Sequence, residues 1–333
     1  MKLSTVPVYY VAMIIDSLAA KGWDRNKLIQ KLNCPPDLLL EKRARIPSSD
    51  FAQCAGYLAT KLQDESLGML VSPMKIGTFA LLCQSSINCD TLGHFLRRYS
   101  KSMGIANESV KLVLSSDAEL ATYSVKCDVS NSYTENTLVM MILAIAHRLS
   151  SWAIDQKIVL HDVNIVGKAP FFARDYNMLF MSRVNFEQKE NSIRFSVDYL
   201  DAKVMQDELA LRKFLAQSAL PLMSELELDS SLTSQISHLI RANVSGEFPN
   251  FVDLAKSMNY TSATLRRRLR VEGSTYQDIK DAVRRDTAIH YLSRNSMSLE
   301  EVAEKSGFTE PTSFFRAFKR WTGTSPRAYV SEV

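Results

Sequence analysis

The chain has 333 residues, of which 46% are hydrophobic and 23% are charged, and its formal net charge is +4. This length is too great for one compact core and predicts two domains of ordinary globular composition. No segment resembles a signal peptide or a membrane span, which predicts a cytoplasmic protein without a membrane partner.

The net charge is unevenly distributed along the chain. From Arg241 to the end there are 15 Lys and Arg residues against 11 Asp and Glu residues, so the last 93 residues hold the whole excess of +4. This asymmetry predicts a polyanionic partner for the C-terminal part alone.

The cysteine and histidine residues give no sign of a metal or cofactor site. The five cysteines are odd in number and contain no C-x-x-C pair, and the five histidines are scattered. We therefore expect reduced thiols in a protein core, no metal and no cofactor.

The first third of the chain has the apolar spacing of helices. The helices are predicted over Val8 to Lys21, Asp24 to Leu32, Ser48 or Ser49 to Leu62, Gly77 to Ser85, and Asp90 to Met103, with Asp24 and Asp90 as N-caps.

The apolar period then changes to two, which predicts strands. Strands over Val110 to Leu114 and Leu120 to Val125 form a predicted hairpin, Lys157 to Val166 is a strand, and a second hairpin joins Val184 to Phe186 with Ser192 to Val197. Helices are predicted over Asn131 to Ala153, Pro170 to Met181 and Gln206 to Met223. The region is expected to be an N-terminal α+β domain with a small, mostly antiparallel sheet, and without a G-x-G-x-x-G or P-loop motif.

Three groups of side chains in this domain are candidates for ligand contact, and each has a structural alternative. They are His147 with Arg148 (a cavity, or a satisfied helix end), His94 with Arg97 and Arg98 (an anion site, or a solvated face), and Phe171, Phe172, Tyr176 and Phe180 (an apolar pocket, or core). No nucleophile, base and orienting group occur together, so we expect no enzyme.

A polar segment, Glu225 to Ser234, is the predicted join, and a helical pattern occurs twice after it. The first copy contains Leu254, Ala255, Tyr260, Thr261, Leu265 and Leu269, and the second contains Val302, Ala303, Phe308, Thr309, Phe314 and Phe318. Each copy predicts two steeply crossing helices that meet at a small alanine, with the threonine capping the second helix. Gly307 favours a tight turn in the second copy.

The apolar residues spaced by four leave one face of each second helix free. These faces hold Ala263, Arg266, Arg267 and Arg270 in the first copy, and Thr312, Ser313, Arg316, Lys319 and Arg320 in the second. A helix fits the major groove of DNA, where arginine pairs with guanine and Thr or Ser contacts bases or phosphates. Two such faces predict double-stranded DNA as the partner, rather than merely solvated cationic surfaces.

The last hundred residues resemble the DNA-binding domain of AraC/XylS-type transcription regulators, most specifically in the segment GFTEPTSFFRAFKRWTGTSPRAY. The resemblance implies an all-α C-terminal domain of two helix-turn-helix units, about 251–271 and 299–322, joined by a linker helix over Tyr276 to Ser293. It implies base or phosphate contacts at Ala263, Arg266 and Arg267, and at Pro311, Thr312, Ser313 and Arg316. The predicted organisation is an effector-binding and dimerisation domain over 1–224, a linker over 225–234 and the DNA-binding domain over 235–333.

Residues 15 to 215 resemble, more weakly, the arabinose-binding type of effector domain, through SSINCDTLGHFLRRYSK and RDYNMLFMSRVNFEQKENSIRFSVDYLDAKV. The resemblance implies a small-molecule effector of unknown identity, a homodimer, recruitment of RNA polymerase and activation of transcription. Two alternatives stay open: a DNA-binding regulator without an effector, and an alkylation-repair enzyme fused to this module, for which the cysteine spacing is unsuitable.

Overall fold

The computed structural model describes residues 5–29, 36–41, 43–130, 135–170, 173–180, 182–216, 232–242, 248–294 and 297–330. The chain forms two compact units, one of Met1–Cys54 with Ser230–Val333 and the other of Ala55–Asp229. The effector, linker and DNA-binding boundaries at 1–224, 225–234 and 235–333 stay a prediction.

The secondary structure within the described residues is as follows. The helices are α1 (Val8–Ala20), α2 (Arg25–Ile29), α3 (Ser48–Leu62), α4 (Thr78–Ser86), α5 (Leu92–Ala106), α6 (Glu135–Ala153), α7 (Ala173–Phe180), α8 (Glu208–Ala216), α9 (Leu232–Ala242), α10 (Phe251–Ser257), α11 (Ser262–Val271), α12 (Tyr276–Leu292), α13 (Leu299–Lys305), α14 (Pro311–Thr322) and α15 (Pro326–Val330). The strands are β1 (Thr5–Pro7), β2 (Arg45–Pro47), β3 (Val110–Ser116), β4 (Leu120–Cys127), β5 (Leu160–Asn164), β6 (Val184–Asn185) and β7 (Asn191–Ser196).

The predicted N-terminal helices are present, with one wrong cap. Asp24 caps α2 as predicted, because its Oδ1 accepts the backbone N–H groups of Asn26 at 3.0 Å and Lys27 at 3.3 Å. The cap of α5 is Thr91 rather than Asp90, and its hydroxyl accepts the N–H of His94. The predicted ends at residues 30–32, 131–134, 181 and 217–223 lie outside the described residues.

The sheet of the second unit has five strands in the order β3-β4-β7-β5-β6. All neighbouring strands are antiparallel except β5 and β6, which are parallel. The first predicted hairpin, β3 with β4, is confirmed, and so is the small, mostly antiparallel sheet. The second predicted hairpin is wrong: β7 pairs with β4 and β5, so β5 lies between β7 and β6.

The core of this unit lies between the sheet and the helices that pack on it. Helix α5 packs on β3, and α6 packs on β4 and β7. The alternation of β4 turns Tyr123 into this core, where Phe95 and Phe195 are equally buried. The hydroxyl of Tyr123 lies 2.9 Å from Ser100 Oγ, so the burial of this polar group is compensated.

The structure places most of the described candidates for ligand contact in the core or on the surface, and their contacts with an effector stay a prediction. His147 is buried on α6 with Nε2 2.8 Å from the carbonyl oxygen of Ile158. Tyr176 and Phe180 are each 1% exposed and belong to the core, whereas residues 171 and 172 lie outside the described residues. The remaining group, His94, Arg97 and Arg98, lies on the exposed face of α5.

The first unit contains the two predicted helix-turn-helix pairs, α10 with α11 and α13 with α14, joined by α12. One core fills the first pair and joins it to α9 and α12; its members are Leu232, Ile236, Ile240, Leu254, Ala255, Leu265, Leu269, Ile279 and Val283. The second pair buries Val302, Ala303, Phe314, Ala317 and Phe318, and α15 packs on α12 and α14. The all-α C-terminal architecture is confirmed.

The N-terminal segment also packs in the first unit. Strands β1 and β2 form an antiparallel pair in which Val6 lies opposite Ile46. Thr5 Oγ1 donates to Asp286 Oδ1 on α12 at 2.6 Å, and the Tyr329 hydroxyl on α15 donates to the carbonyl oxygen of Arg45. Two three-residue strands are too short to produce a period-two pattern, and the sequence did not predict them.

Candidate nucleic-acid interface

The first helix-turn-helix begins at a capped helix and turns at Asn259. Asn250 Oδ1 accepts the N–H groups of Val252 and Asp253 and so caps α10. Asn259 has a φ of 59°, in the left-handed region that a short polar side chain tolerates. Thr261 caps α11 as predicted, since its Oγ1 accepts the N–H of Thr264 at 3.2 Å.

The second helix-turn-helix differs at the start of its second helix, α14; α11 and α14, the second helices of the two pairs, are called the reading helices below. A capping box of Ser298 and Glu301 opens α13, and Gly307 turns the chain with a φ of 76°. The sequence predicted Thr309 as the cap of α14, and this prediction is wrong. Helix α14 begins one residue later at Pro311, and Glu310 is the N-cap without a side-chain bond. Proline suits this first position, because it needs no N–H partner and its φ is already helical.

Both reading helices bury one face and expose the other, as predicted. Leu265 and Leu269 of α11 and Phe314 and Phe318 of α14 are each at most 1% exposed. Of the ten predicted contact residues, Pro311 is half-buried and the others are exposed: Ala263, Arg266, Arg267, Arg270, Thr312, Ser313, Arg316, Lys319 and Arg320. The structure therefore places these side chains on two free helix faces. Their contacts with DNA stay a prediction.

Aromatic rings contact two arginines of α11, of which Arg266 belongs to the free face and Arg268 does not. The guanidinium of Arg268 lies 4.9 Å from the ring centroid of Tyr260 and donates to its hydroxyl at 3.0 Å. Arg266 lies 5.2 Å from the ring centroid of Phe251. Arg268 is thus held against the protein, whereas Arg266 combines an exposed head with a ring contact that restricts its motion.

One cation of the second face, Arg320, forms an ion pair with the linker helix. Arg320, at the end of α14, lies 3.5 Å from Asp281 of the linker helix α12, and the Arg320 side chain is 66% exposed. An exposed pair of this kind contributes little to stability, so a phosphate could replace the carboxylate at small cost. Lys319 and Arg316 are the cations of this face nearest to it in sequence.

The sequence did not single out the cation that connects the two helix-turn-helix units, Arg284 of α12. Its guanidinium carbon lies 4.6 Å from the ring centroid of Phe248 and also 4.6 Å from that of Phe308. Its Nη2 donates to the carbonyl oxygen of Gly307 at 2.8 Å. No periodic signal marks such a contact, because its partners lie 36 residues before and 24 residues after it in the chain.

Burial lowers the pKa of two cations of this region, Arg284 and Lys280. Burial lowers the pKa of Arg284, and the neighbouring carboxylate of Asp281 opposes this shift. Burial, and secondly the neighbouring Arg284, lower the pKa of Lys280, whose ammonium lies over the rings of Phe248 and Tyr276. Both cations are therefore held by aromatic faces.

A groove of about 800 Å³ lies beside Arg284, between α12 and the second helix-turn-helix. Its walls include the cations Lys280 and Arg284 and the carboxylates Glu300, Glu304 and Glu310. Because its lining mixes both signs, the groove favours no single charge on a ligand.

The described thiols are unsuited to nucleophilic chemistry. Burial raises the pKa of Cys54 to about 11 and that of Cys83 and Cys127 to about 12, and it also raises the pKa of Cys89. Each thiol is therefore protonated at neutral pH, whereas a reactive cysteine needs its thiolate. Cys34 lies outside the described residues.

Two other features, a metal site and a membrane-spanning helix, are absent from the described residues. Across these residues no group of three or more His, Cys, Asp or Glu side chains could hold a metal ion. Nor does any helix within them have the length and hydrophobicity to span a bilayer.

Family comparison assigns both parts of the chain. Residues 22–204 match the arabinose-binding domain of AraC transcription regulators, N-terminal, and residues 254–332 match a helix-turn-helix domain. The first match covers more than half of the chain. The relatives compared with the chain are named as transcription regulators.

Two relatives, the ornithine utilization regulator and VqsM, agree with this assignment by name. The chain is 25% identical to the ornithine utilization regulator of Pseudomonas aeruginosa over 97% of this chain and 96% of that protein. It is 35% identical to the regulator VqsM of the same organism over 33% of this chain and 35% of that protein. The crystal structure of CdpR from Pseudomonas aeruginosa shares 21% identity and covers 76% of this chain and 81% of that one, with a TM-score of 0.29. The chain belongs to the AraC-type transcription regulators and is a DNA-binding regulator with an arabinose-binding-type effector domain.

Proposed function

We propose that the chain activates transcription by placing the exposed faces of α11 and α14 in adjacent major grooves of a promoter. The observation that carries the proposal is the pair of half-buried helices, α11 and α14, whose free faces both hold cations. The proposed DNA contacts are Ala263, Arg266, Arg267, Arg270, Pro311, Thr312, Ser313, Arg316, Lys319 and Arg320. Helices joined in this way read major-groove segments one turn of DNA apart.

We assign different roles to the side chains of these two faces. Arg267 and Arg316 occupy equivalent positions, each six residues after the N-cap of its helix, and both are exposed. We assign them to guanine edges, which a guanidinium contacts through two parallel hydrogen bonds. Arg270 and Lys319, one turn later, are assigned to phosphates, which give affinity without sequence preference. Ala263 can offer only an apolar contact, for example to a thymine methyl group.

Arg316→Ala tests the assignment of α14. The substitution should reduce the affinity for a bound promoter fragment by about 1–3 kcal/mol, because one base-specific pair is lost. The loss on a scrambled fragment of equal length should be smaller. Affinities of the full chain for both fragments, measured at one fixed salt concentration, give the comparison.

Lys305→Ala is the matched control. Lys305 is exposed in the same helix-turn-helix unit, on α13 rather than on the reading face. Its removal takes away one positive charge and should reduce binding to both fragments equally and weakly. Equal losses on both fragments for Arg316→Ala would make Arg316 a phosphate contact, and no loss on either would remove it from the interface.

The proposed effector is a small molecule bound by the arabinose-binding-type domain. Because the relative similar over 97% of this chain is named for ornithine utilization, ornithine and related amino acids are the first probes. Sugars and fatty acids follow. An effector should raise the Tm of the full chain and also shift its affinity for promoter DNA. If every probe leaves both quantities unchanged, the effector-independent regulator becomes the better description.

The remaining parts of the proposal are a homodimer, a cytoplasmic location and RNA polymerase as partner. Sedimentation of the full chain, with and without promoter DNA, measures the oligomeric state. Transcription in vitro from a bound promoter, with purified RNA polymerase, measures the direction of regulation. We expect more transcript in the presence of the chain, and less transcript would make it a repressor.

A further inference from the structure

We infer that Arg284 is a positioning residue that sets the distance between the two reading helices, and thereby the spacing of half-sites that the protein accepts. The inference rests on the proposed function, since it requires α11 and α14 to contact one DNA molecule together. Arg284 itself is not proposed to touch DNA.

The guanidinium of Arg284 is enclosed by groups from both helix-turn-helix units. On one side is Phe248, which packs against the core of the first helix-turn-helix. On the other side is Phe308 in the turn of the second helix-turn-helix, with its ring centroid 5.6 Å from that of Phe314 and 5.9 Å from that of Trp321. Each ring is thus fixed to its own helix-turn-helix, and Arg284 lies between the two rings.

The bond to the backbone adds direction to this stacking. Arg284 Nη2 donates at 2.8 Å to the carbonyl oxygen of Gly307, the residue whose φ of 76° turns the chain between α13 and α14. A stacked plane alone could slide over a ring, but a bond to a fixed carbonyl defines one position. The arginine therefore holds the turn that precedes the second reading helix.

The partners of Arg284 are more consistent with positioning than with charge neutralisation. Within the described chain, the carboxylate of Asp281 acts on Arg284 through its charge without a salt bridge, and the buried Nε of Arg284 has no hydrogen-bond partner. A group selected only for stability would gain more from an acidic partner. A flat cation between two rings instead fixes the separation of the rings, which is the quantity that half-site spacing depends on.

Lysine should not replace this arginine. An ammonium is a compact charge without a flat face, and it cannot stack on two rings while donating to a third group. Arg284→Lys keeps the net charge and most of the side-chain length, so it removes mainly the geometry. Phe248→Leu is a second test, because it keeps an apolar contact with the first core and removes the ring face.

Lys280 provides a matched control on the same helix. Its ammonium lies 5.6 Å and 5.7 Å from the ring centroids of Phe248 and Tyr276, which both pack against the core of the first helix-turn-helix. Lys280 shares the ring of Phe248 with Arg284 but contacts no ring of the second helix-turn-helix. Lys280→Ala should therefore leave the preferred spacing unchanged.

The experiment compares two DNA fragments for the full chain. One is a promoter fragment that footprinting shows to be bound, and the other has one base pair inserted between the two protected segments. For the unaltered chain the insertion should weaken binding at least tenfold. For Arg284→Lys and Phe248→Leu the same insertion should cost less than threefold, although binding to the original fragment also weakens. Circular dichroism and thermal melting confirm that the variants are folded.

The outcomes separate this inference from the proposed function. If the insertion costs the unaltered chain and both variants the same factor, Arg284 does not set the spacing, whereas the two-helix interface stands. If the unaltered chain binds a fragment with one protected segment as tightly as the whole fragment, the proposal of two reading helices fails and this inference fails with it.

Discussion

Single residues decide how tightly each helix-turn-helix can close. Ala255 and Ala303, the small residues predicted where the paired helices cross, are each 1% exposed. The turns use different residues for the same backbone: Gly307 has a φ of 76° and Asn259 a φ of 59°. A search for glycine finds only the second turn. Asparagine fulfils the requirement in the first because it tolerates the left-handed region better than most side chains do.

His290 of α12 is a titratable residue whose burial should make stability depend on pH. Its side chain is 8% exposed and Nε2 has no hydrogen-bond partner. Burial, and secondly the positive charge of Arg294, lower the pKa of His290 below its usual value of about 6.5. The unfolded chain therefore binds a proton at a higher pH than the folded chain does.

The consequence is a loss of stability on acidification. The contribution of His290 is complete above about pH 6.5 and decreases as the pH falls through the lower pKa of the folded state. His290→Phe keeps a flat ring without a titrating group. We expect the free energy of unfolding of the unaltered chain, relative to this variant, to fall between pH 7.5 and 5. The decline cannot exceed about 1.4 kcal/mol per pH unit for one group.

Urea unfolding at a series of pH values measures this difference. Subtracting the variant from the unaltered chain removes the contributions of the carboxylates, which both proteins share. A difference that stays constant over this range would show that His290 binds its proton equally well in both states.

At the scale of elements, one inserted residue explains the wrong cap of α14. From Thr261 to Thr309 the copies are offset by 48 residues, whereas from Leu265 to Phe314 they are offset by 49. The extra residue follows the turn, so the helix starts at Pro311 and Thr309 remains outside it. Apolar spacing located the buried faces correctly, because it depends on the interior of a helix. A cap depends on its first residue, which spacing alone does not fix.

The linker helix α12 has a stronger start. Thr275 Oγ1 accepts the N–H of Asp278 at 3.2 Å, and Asp278 Oδ2 accepts the N–H of Thr275 at 3.1 Å. Thr275→Ala removes one side of this capping box and should lower the free energy of unfolding by about 1 kcal/mol. Thr275→Ser keeps the accepting oxygen and should remain within a few tenths of a kcal/mol of the unaltered chain. Thermal unfolding of the three proteins makes the comparison, and equal losses in both variants would indicate packing of the methyl group rather than capping.

Strand pairing was less predictable than the helices. The adjacent strands β3 and β4 were predicted correctly because a short polar turn joins them. Strands β6 and β7 also follow each other closely, yet β5 lies between them in the sheet. Period-two patterning identifies a strand without naming its neighbour, and β6 has only two residues with which to show any pattern. The contact of Arg284 with Phe248 and Phe308 was unpredictable for a similar reason, since it joins three distant parts of the chain.

At the scale of the whole molecule, the order of the chain does not match its compact units. The N-terminal segment packs with the helix-turn-helix pairs, on α12 and α15. At the end of α14, a Cβ on Gly323 would collide with the side chain of Glu41. A division of the chain by sequence similarity therefore separates residues that fold together. A fragment restricted to the last hundred residues lacks these contacts, so the full chain is the better material for DNA-binding measurements.

Thr5→Val tests this packing with a change of one atom. Thr5 Oγ1 donates to Asp286 Oδ1 at 2.6 Å and accepts from Arg45 Nε at 2.8 Å, and it therefore connects β2 to the linker helix. Asp286 is 7% exposed and also contacts Arg285 Nε at 3.2 Å, so its carboxylate loses one of at least two donors. We expect Thr5→Val to lower the free energy of unfolding by about 1.5–3 kcal/mol, the usual contribution of a hydrogen bond to a charged group.

The matched control is Thr60→Val, because Thr60 Oγ1 bonds only within its own helix, to the Gly56 carbonyl oxygen, and is exposed. Hydrogen exchange of the full chain provides a local readout. If the packing holds both segments, Thr5→Val accelerates exchange in α1 and also in α12, whereas Thr60→Val changes neither. Faster exchange in α1 alone would mean that the linker helix gains nothing from the N-terminal segment, and that the tail folds as an independent unit after all.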